Sequence, residues 1–196
     1  LRLFPKKKNA DKVYFRIGRV HEDSGGRRNL IRAKDHYIKF IKRYASSKVL
    51  VVEAHTRVGA ILRKLNEKRN RRNAEKHYGK AQVVFVEVDP KEKGFKQVQY
   101  FAAQAKFELT EYSYADYEAI SLDKKTMKKL EGIRERVTKK AEAFKAVENA
   151  YLSIMEVYKQ PQWNAAALFR TGMLYYNFVN FLLDAPIPDG LDLDTE

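Results

Sequence analysis

Ala33-Lys-Asp-His-Tyr37, running on to Tyr44, recurs forty-one residues later as Ala74-Glu-Lys-His-Tyr78, running on to Phe85. In each copy an alanine, an aromatic four residues on and a second aromatic seven further fall on one stripe of a helix. The segment upstream keeps the same offset, since Arg16-Ile-Gly18-Arg-Val20 returns as Arg57-Val-Gly59-Ala-Ile61. Two different segments repeating at one shared spacing point to a helical array with a period of about 41. The expected class is therefore all-α.

Apolar periodicity extends the reading in both directions. Residues 10–23 predict a helix packed through Val13, Tyr14, Ile17, Gly18 and Val20, stopped by Gly25-Gly26, because glycine accepts the left-handed conformation beyond a helix end. A second helix is expected over 28–44. Ser46-Ser47 can cap a third over 48–66, and a basic turn leads to a fourth over 73–88. Val83-Val84-Phe85-Val86 would read as a strand alone, but the repeat register overrides that local preference. Asp89-Pro90 marks a boundary, with Pro90 suited to the first turn of a helix running from Lys91 to Tyr117. One very long helix follows near 123–159, and Pro161 separates the last, 162–184, which carries a third Arg-x-Gly pattern, Arg170-Thr-Gly172. The units are about 10–45, 46–88, 91–159 and 162–184, with an acidic linker over 185–196.

Composition narrows the possibilities. Nine Gly and five Pro are few for a chain of 196 residues, which suits long helices better than many tight turns. There is no cysteine, so disulfides and thiolate chemistry are excluded. No apolar run approaches the roughly 18 residues of a membrane span. The net charge of +14 is uneven: beyond Lys159 the chain is net −4, which leaves +18 on residues 1–159. Such a field favours acidic partners, whether nucleic acid, anionic lipid or acidic protein surface.

At these residues the chain resembles the tetratricopeptide superfamily. Gly18, Gly59, Ala105 and Gly172 match the small residue of that family's first helix, with Tyr175 the clearest following aromatic. Ala33 with Tyr37 and Ala74 with Tyr78 match the second helix, and Ala81 its later small position. The turn between helices is about three residues longer than usual, and the closing proline is kept at Pro5 but replaced by Ala45 in the next copy. Tyr117-Glu-Ala-Ile-Ser-Leu122, Gln162-Trp-Asn-Ala-Ala-Ala-Leu-Phe-Arg-Thr-Gly172 and Leu183-Asp-Ala-Pro-Ile-Pro-Asp-Gly-Leu191 are similar to long deltaproteobacterial cell-envelope members, including gliding-motility-associated ones. The resemblance implies a right-handed α-solenoid, a fragment of a longer array, and a place in the bacterial cell envelope, periplasmic, with the cytoplasm as the alternative.

Enzymatic chemistry has little to rest on: there is no Gly-rich phosphate loop, nucleophile elbow or paired His-Glu zinc helix. His36 and His77 occupy equivalent places in successive copies and read as structural or surface residues; no metal or cofactor is expected. The expected function is a non-enzymatic protein-interaction scaffold, because stacked helix pairs leave an extended concave surface. The family's groove positions, transferred by register, are Lys12, Phe15 and Arg19, then Thr56, Ala60, Arg63 and Lys64. Ala102, Lys106 and Leu109 follow, then Phe169, Met173 and Tyr176. That groove would be basic for most of its length and apolar at its far end, suiting an acidic segment with hydrophobic anchors or neighbouring repeats of the same protein. The alternative is nucleic-acid binding through the basic turn at 63–80, where Lys68, Arg69, Arg71, Arg72, Lys76 and Lys80 could neutralise phosphates. A solvated turn in a basic protein accounts for the same residues.

Overall fold

The computed structural model describes residues 9–66, 70–122 and 130–185. Among these the chain is all-α, with seven helices and no strand. They are α1 (Ala10–Asp23), α2 (Gly26–Arg43), α3 (Lys48–Leu65), α4 (Asn70–Phe85), α5 (Phe95–Glu118), α6 (Leu130–Tyr158) and α7 (Pro161–Leu183). Helices adjacent in sequence pack on one another: α1 on α2, α2 on α3, α3 on α4, and α6 on α7. The chain forms two compact units, residues 1–109 and 110–196, with the boundary inside α5.

In the first unit α3 is the central element. Eleven of its eighteen residues are buried, Val52, Ala54, Val58 and Ile61 completely, as a helix covered on several sides requires. The pairs α1–α2 and α3–α4 close through matched contacts. The Tyr37 ring lies on Gly18 so closely that a Cβ there would stand 2.7 Å away, and the Tyr78 ring lies on Gly59 with 2.5 Å for the same test. Both rings are fully buried. A second contact recurs at the same offset: the His36 ring stacks on Tyr14, and His77 meets His55. Glycine is used at both positions because no side chain leaves room for the tyrosine face.

Helix ends follow local chemistry, with corrections to the expected boundaries. Gly25 and Gly26 take positive φ values of 64° and 72°, and Asn66 ends α3 at φ 45°, the residue after glycine that best tolerates this region. Ser47 precedes α3 but does not cap it; its hydroxyl donates to Asp11 Oδ2 at 2.8 Å, tying α3 to α1. Pro90 does not open α5. Asp89 Oδ1 accepts the Lys91 N–H at 2.8 Å, making a turn, and the helix begins only after Gly94 at φ 98°. The valine run stays helical to Phe85, leaving Val83 and Val86 exposed.

The second unit contains the end of α5 with α6 and α7. Its core includes Tyr114, Tyr117, Tyr151, Ile154, Ala167 and Leu174. The long helix expected over 123–159 spans Leu130–Tyr158; its expected start, 123–129, lies outside the described residues. Pro161 opens α7 in the first turn, where its absent N–H costs nothing. Lys140 is buried, and its Nζ donates to Tyr117 O at 2.7 Å and Ile120 O at 3.1 Å. The ammonium thereby neutralises the carbonyl-rich end of α5 and sits 3.8 Å from the centre of the Tyr117 ring.

Candidate protein-binding cleft

Within the first unit a cleft of about 430 Å³ opens between α1, α3 and α5. Its α3 wall presents residues at helical spacing, Arg57, Ala60, Arg63 and Lys64; α5 contributes Phe101, Gln104 and Glu108, and the end of α1 contributes Glu22. Arg57 is fixed at its base. Its Nε lies 2.7 Å from Glu53 Oε1, its Nη1 3.0 Å from Glu22 Oε2, and its guanidinium 5.2 Å from the centre of the Phe101 ring. Gln97 donates to Glu53 Oε2 at 3.0 Å, and the Tyr37 hydroxyl donates to Glu22 Oε2 at 2.9 Å. Every partner of this arginine is itself held, which defines one side-chain arrangement.

Charge states follow from that packing. Burial pulls the Arg57 guanidinium down, but Glu53 and Glu22 outweigh it and raise its pKa above the ordinary arginine value. The Tyr37 hydroxyl is raised far above its usual range by burial and then by Glu22, so it remains a donor. Arg63 pairs with Glu108 across the cleft. The pair is graded in depth: the Arg63 side chain is 51% exposed and that of Glu108 13%. An approaching group meets Arg63 and Lys64 first and the carboxylates beneath them afterwards.

The residues expected to line one groove separate. Arg63 and Lys64 are brought together here with Ala60, while Lys12 lines a different cleft of about 490 Å³ with Asp11, Ser47 and Lys93. Phe15 and Thr56 are interior and offer a ligand no surface. Phe15 packs between Tyr37 and Phe40, and Thr56 donates to Val52 O at 3.0 Å and reaches Phe101 O at 3.1 Å. Arg19 is exposed on α1 and Lys106 is half-buried on α5. In the second unit Phe169 and Tyr176 are exposed on α7, with Met173 half-buried. In this cleft Glu22, Glu53 and Glu108 answer the cations.

Of the alternative residues, Arg71, Arg72, Lys76 and Lys80 are exposed on α4, and Arg71 pairs with Glu75 at 3.0 Å. Lys68 and Arg69 lie outside the described residues. Glu22, Arg57, Phe101, Gln104 and Glu108 were not expected at the site. Arg57 alone carried a signal, the recurring Arg-x-Gly pattern. The His55 and His77 rings approach to 2.9 Å between their Nδ1 atoms, one donating and the other accepting. Among the described residues no group of three or more His, Asp or Glu converges to hold a metal ion, and no helix is long and apolar enough to cross a membrane. No protein-family model, curated protein or solved structure matches this chain.

Proposed function

We propose that this chain is a non-enzymatic protein-interaction scaffold, a tetratricopeptide-like right-handed solenoid whose α1–α3–α5 cleft takes a short acidic peptide segment. The observation that carries the reading is the depth grading of charge, with Arg63 and Lys64 outward and Glu108 below. A peptide carboxylate can take over Arg63 at the rim, while Ala60 and the Phe101 ring give an adjacent apolar residue a surface. The repeat reading is supported by the matched Gly18–Tyr37 and Gly59–Tyr78 contacts. By the same resemblance the scaffold belongs to an assembly of the bacterial envelope, facing the periplasm.

The test is fluorescence anisotropy of the whole chain with a labelled peptide alternating Asp or Glu with Leu or Phe. Saturable binding, weakened at least tenfold by Arg63→Glu with Lys64→Glu, is expected. Binding that ignores the double reversal removes the cleft from the function.

A second reading rests on α4, where Arg72, Lys76 and Lys80 form an exposed row at four-residue intervals. Such a row, about 6 Å between members, can follow a nucleic-acid backbone. It predicts affinity for non-specific DNA or RNA that falls steeply with salt and is lost when all three are neutralised; binding insensitive to that change sinks it.

A further inference from the structure

Three copies of the Arg-x-Gly pattern place a glycine on a helix, and two of these glycines are covered by a tyrosine ring. At the third, Gly172, an added Cβ would meet none of the described residues within 4 Å. Gly172 belongs to a row along α7 comprising Ala165, Phe169, Gly172, Tyr176, Val179 and Leu183, spaced four, three, four, three and four. All six are exposed: Phe169 67%, Tyr176 62%, Val179 51% and Leu183 76%, with Ala165 and Gly172 also outward. Alternating spacing of three and four is the seam of two helices packed side by side. Arg170 is the one charged residue of α7, and it is engaged with Glu111 inside its own unit. Burying the row therefore strands no charge.

We propose that this face of α7 pairs antiparallel with α7 of a second copy, about a two-fold axis at the level of Leu174. The row is complementary to itself in that arrangement. Gly172 meets Tyr176 of the second copy, Ala165 meets its Leu183, and Phe169 meets its Val179, so each larger side chain opposes a smaller one. A two-fold interface demands this reciprocity. The central contact repeats in trans the tyrosine-on-glycine packing that Tyr37 and Tyr78 make in cis. At about 200 Å² for a fully exposed aromatic side chain, Phe169 and Tyr176 together offer roughly 260 Å² per copy, and Val179 and Leu183, with Leu168 and Leu182 alongside, extend the apolar surface. A standard stable interface takes about 800 Å² from each partner. The pairing does not depend on the peptide cleft, which lies in the other unit.

Sedimentation velocity of the whole chain between about 1 and about 100 μM should show a dimer fraction that rises with concentration. Gly172→Leu should leave helix content intact, because the position is open within one copy, and weaken the dimer at least tenfold. Tyr176→Asp should do the same. A monomer throughout that range, or a dimer indifferent to both substitutions, overturns the proposal. Because the chain contains no cysteine, register can be read directly. Gly172→Cys mixed with Tyr176→Cys should form a mixed disulfide on mild oxidation. Preferential self-linking of Gly172→Cys would mean parallel helices and overturns the antiparallel arrangement.

Discussion

Arg57-Val-Gly59 in the first unit and Arg170-Thr-Gly172 in the second share a pattern, yet only its arginine half does the same work in both. Arg57 binds Glu22, which also accepts the Tyr37 hydroxyl; Arg170 binds Glu111, which also accepts the Tyr151 hydroxyl at 2.6 Å. The glycine halves differ, since Gly59 is filled by Tyr78 and Gly172 is open. Arg16-Ile-Gly18 completes the series in reverse, with an exposed arginine and a glycine filled by Tyr37. The pattern is two-sided: the arginine fastens to the tyrosine of the helix before it, and the glycine receives the tyrosine of the helix after it.

The arginine junctions also differ in depth, and that difference gives the largest expected effect. Arg57 serves two acids, and Glu53 is 1% exposed; among the described residues Arg170 serves Glu111, with the Tyr114 ring 4.8 Å beneath it. Arg57→Met removes the cation that two carboxylates share, leaving the almost fully buried Glu53 with its Gln97 hydrogen bond and Glu22 with the Tyr37 hydroxyl, and should cost about 3–5 kcal/mol of first-unit stability. Arg170→Met leaves Glu111 with its Tyr151 hydrogen bond and should cost about 1–3 kcal/mol of second-unit stability. Urea unfolding separates them, because the single tryptophan, Trp163, reports the second unit while circular dichroism reports both. Equal costs would break the distinction.

Next comes Gly59→Ala. Its Cβ must displace a buried Tyr78 ring, an overpacking cost of about 1–3 kcal/mol, read as an earlier circular-dichroism transition at unchanged Trp163 signal.

Acid sharpens the comparison further, because all four histidines lie in the first unit. Burial lowers the pKa of His55 to about 3, helped by His77 and Lys80, and that of His77 to about 4, helped by Lys80 and Lys76. Both favour the neutral form when folded, against about 6.5 unfolded. Their contribution is therefore complete above pH 6.5 and is lost as pH falls towards 4, by up to about 1.4 kcal/mol per pH unit for each ring. Between pH 6.5 and 5, above the carboxylate range, the circular-dichroism midpoint should fall while the Trp163 midpoint holds. A parallel fall in both would remove the histidine pair as its cause.

The smallest effect has the opposite sign. Gly172→Ala should stabilise the second unit by about 0.5–1 kcal/mol in urea unfolding of the monomer, since only helix propensity changes there. A loss of stability would show that position 172 is not open.

These contrasts track what was legible in the sequence. Spacing alone placed the Ala33–Tyr37 and Ala74–Tyr78 helices, because helix periodicity is a local signal; only the family resemblance singled out Gly18 and Gly59 as small packing positions. The family register, carried over by resemblance, named Arg63 and Lys64 as groove positions, and both are exposed on α3. It misassigned Phe15 and Thr56, since a register position becomes groove or core only when a third helix arrives. Phe40 encloses the first, and the Phe101 carbonyl claims the second. Glu108 and Gln104 left no trace, because α5 departs from the repeat spacing that located the other helices. The Ser47 hydroxyl was read as a cap for want of any hint that Asp11 would stand beside it.

Lys140 gives the second unit a chemical clock. Its ammonium is sealed under the α5 carbonyls and the Tyr117 ring, and burial shifts its pKa below the ordinary lysine value despite Glu118. Amine-directed acylating reagents will mark the surface lysines at once and reach this one only when α6 lifts from the end of α5. The acylation rate at that single amine, followed by peptide mass, times the opening of a helix junction with no label added beforehand.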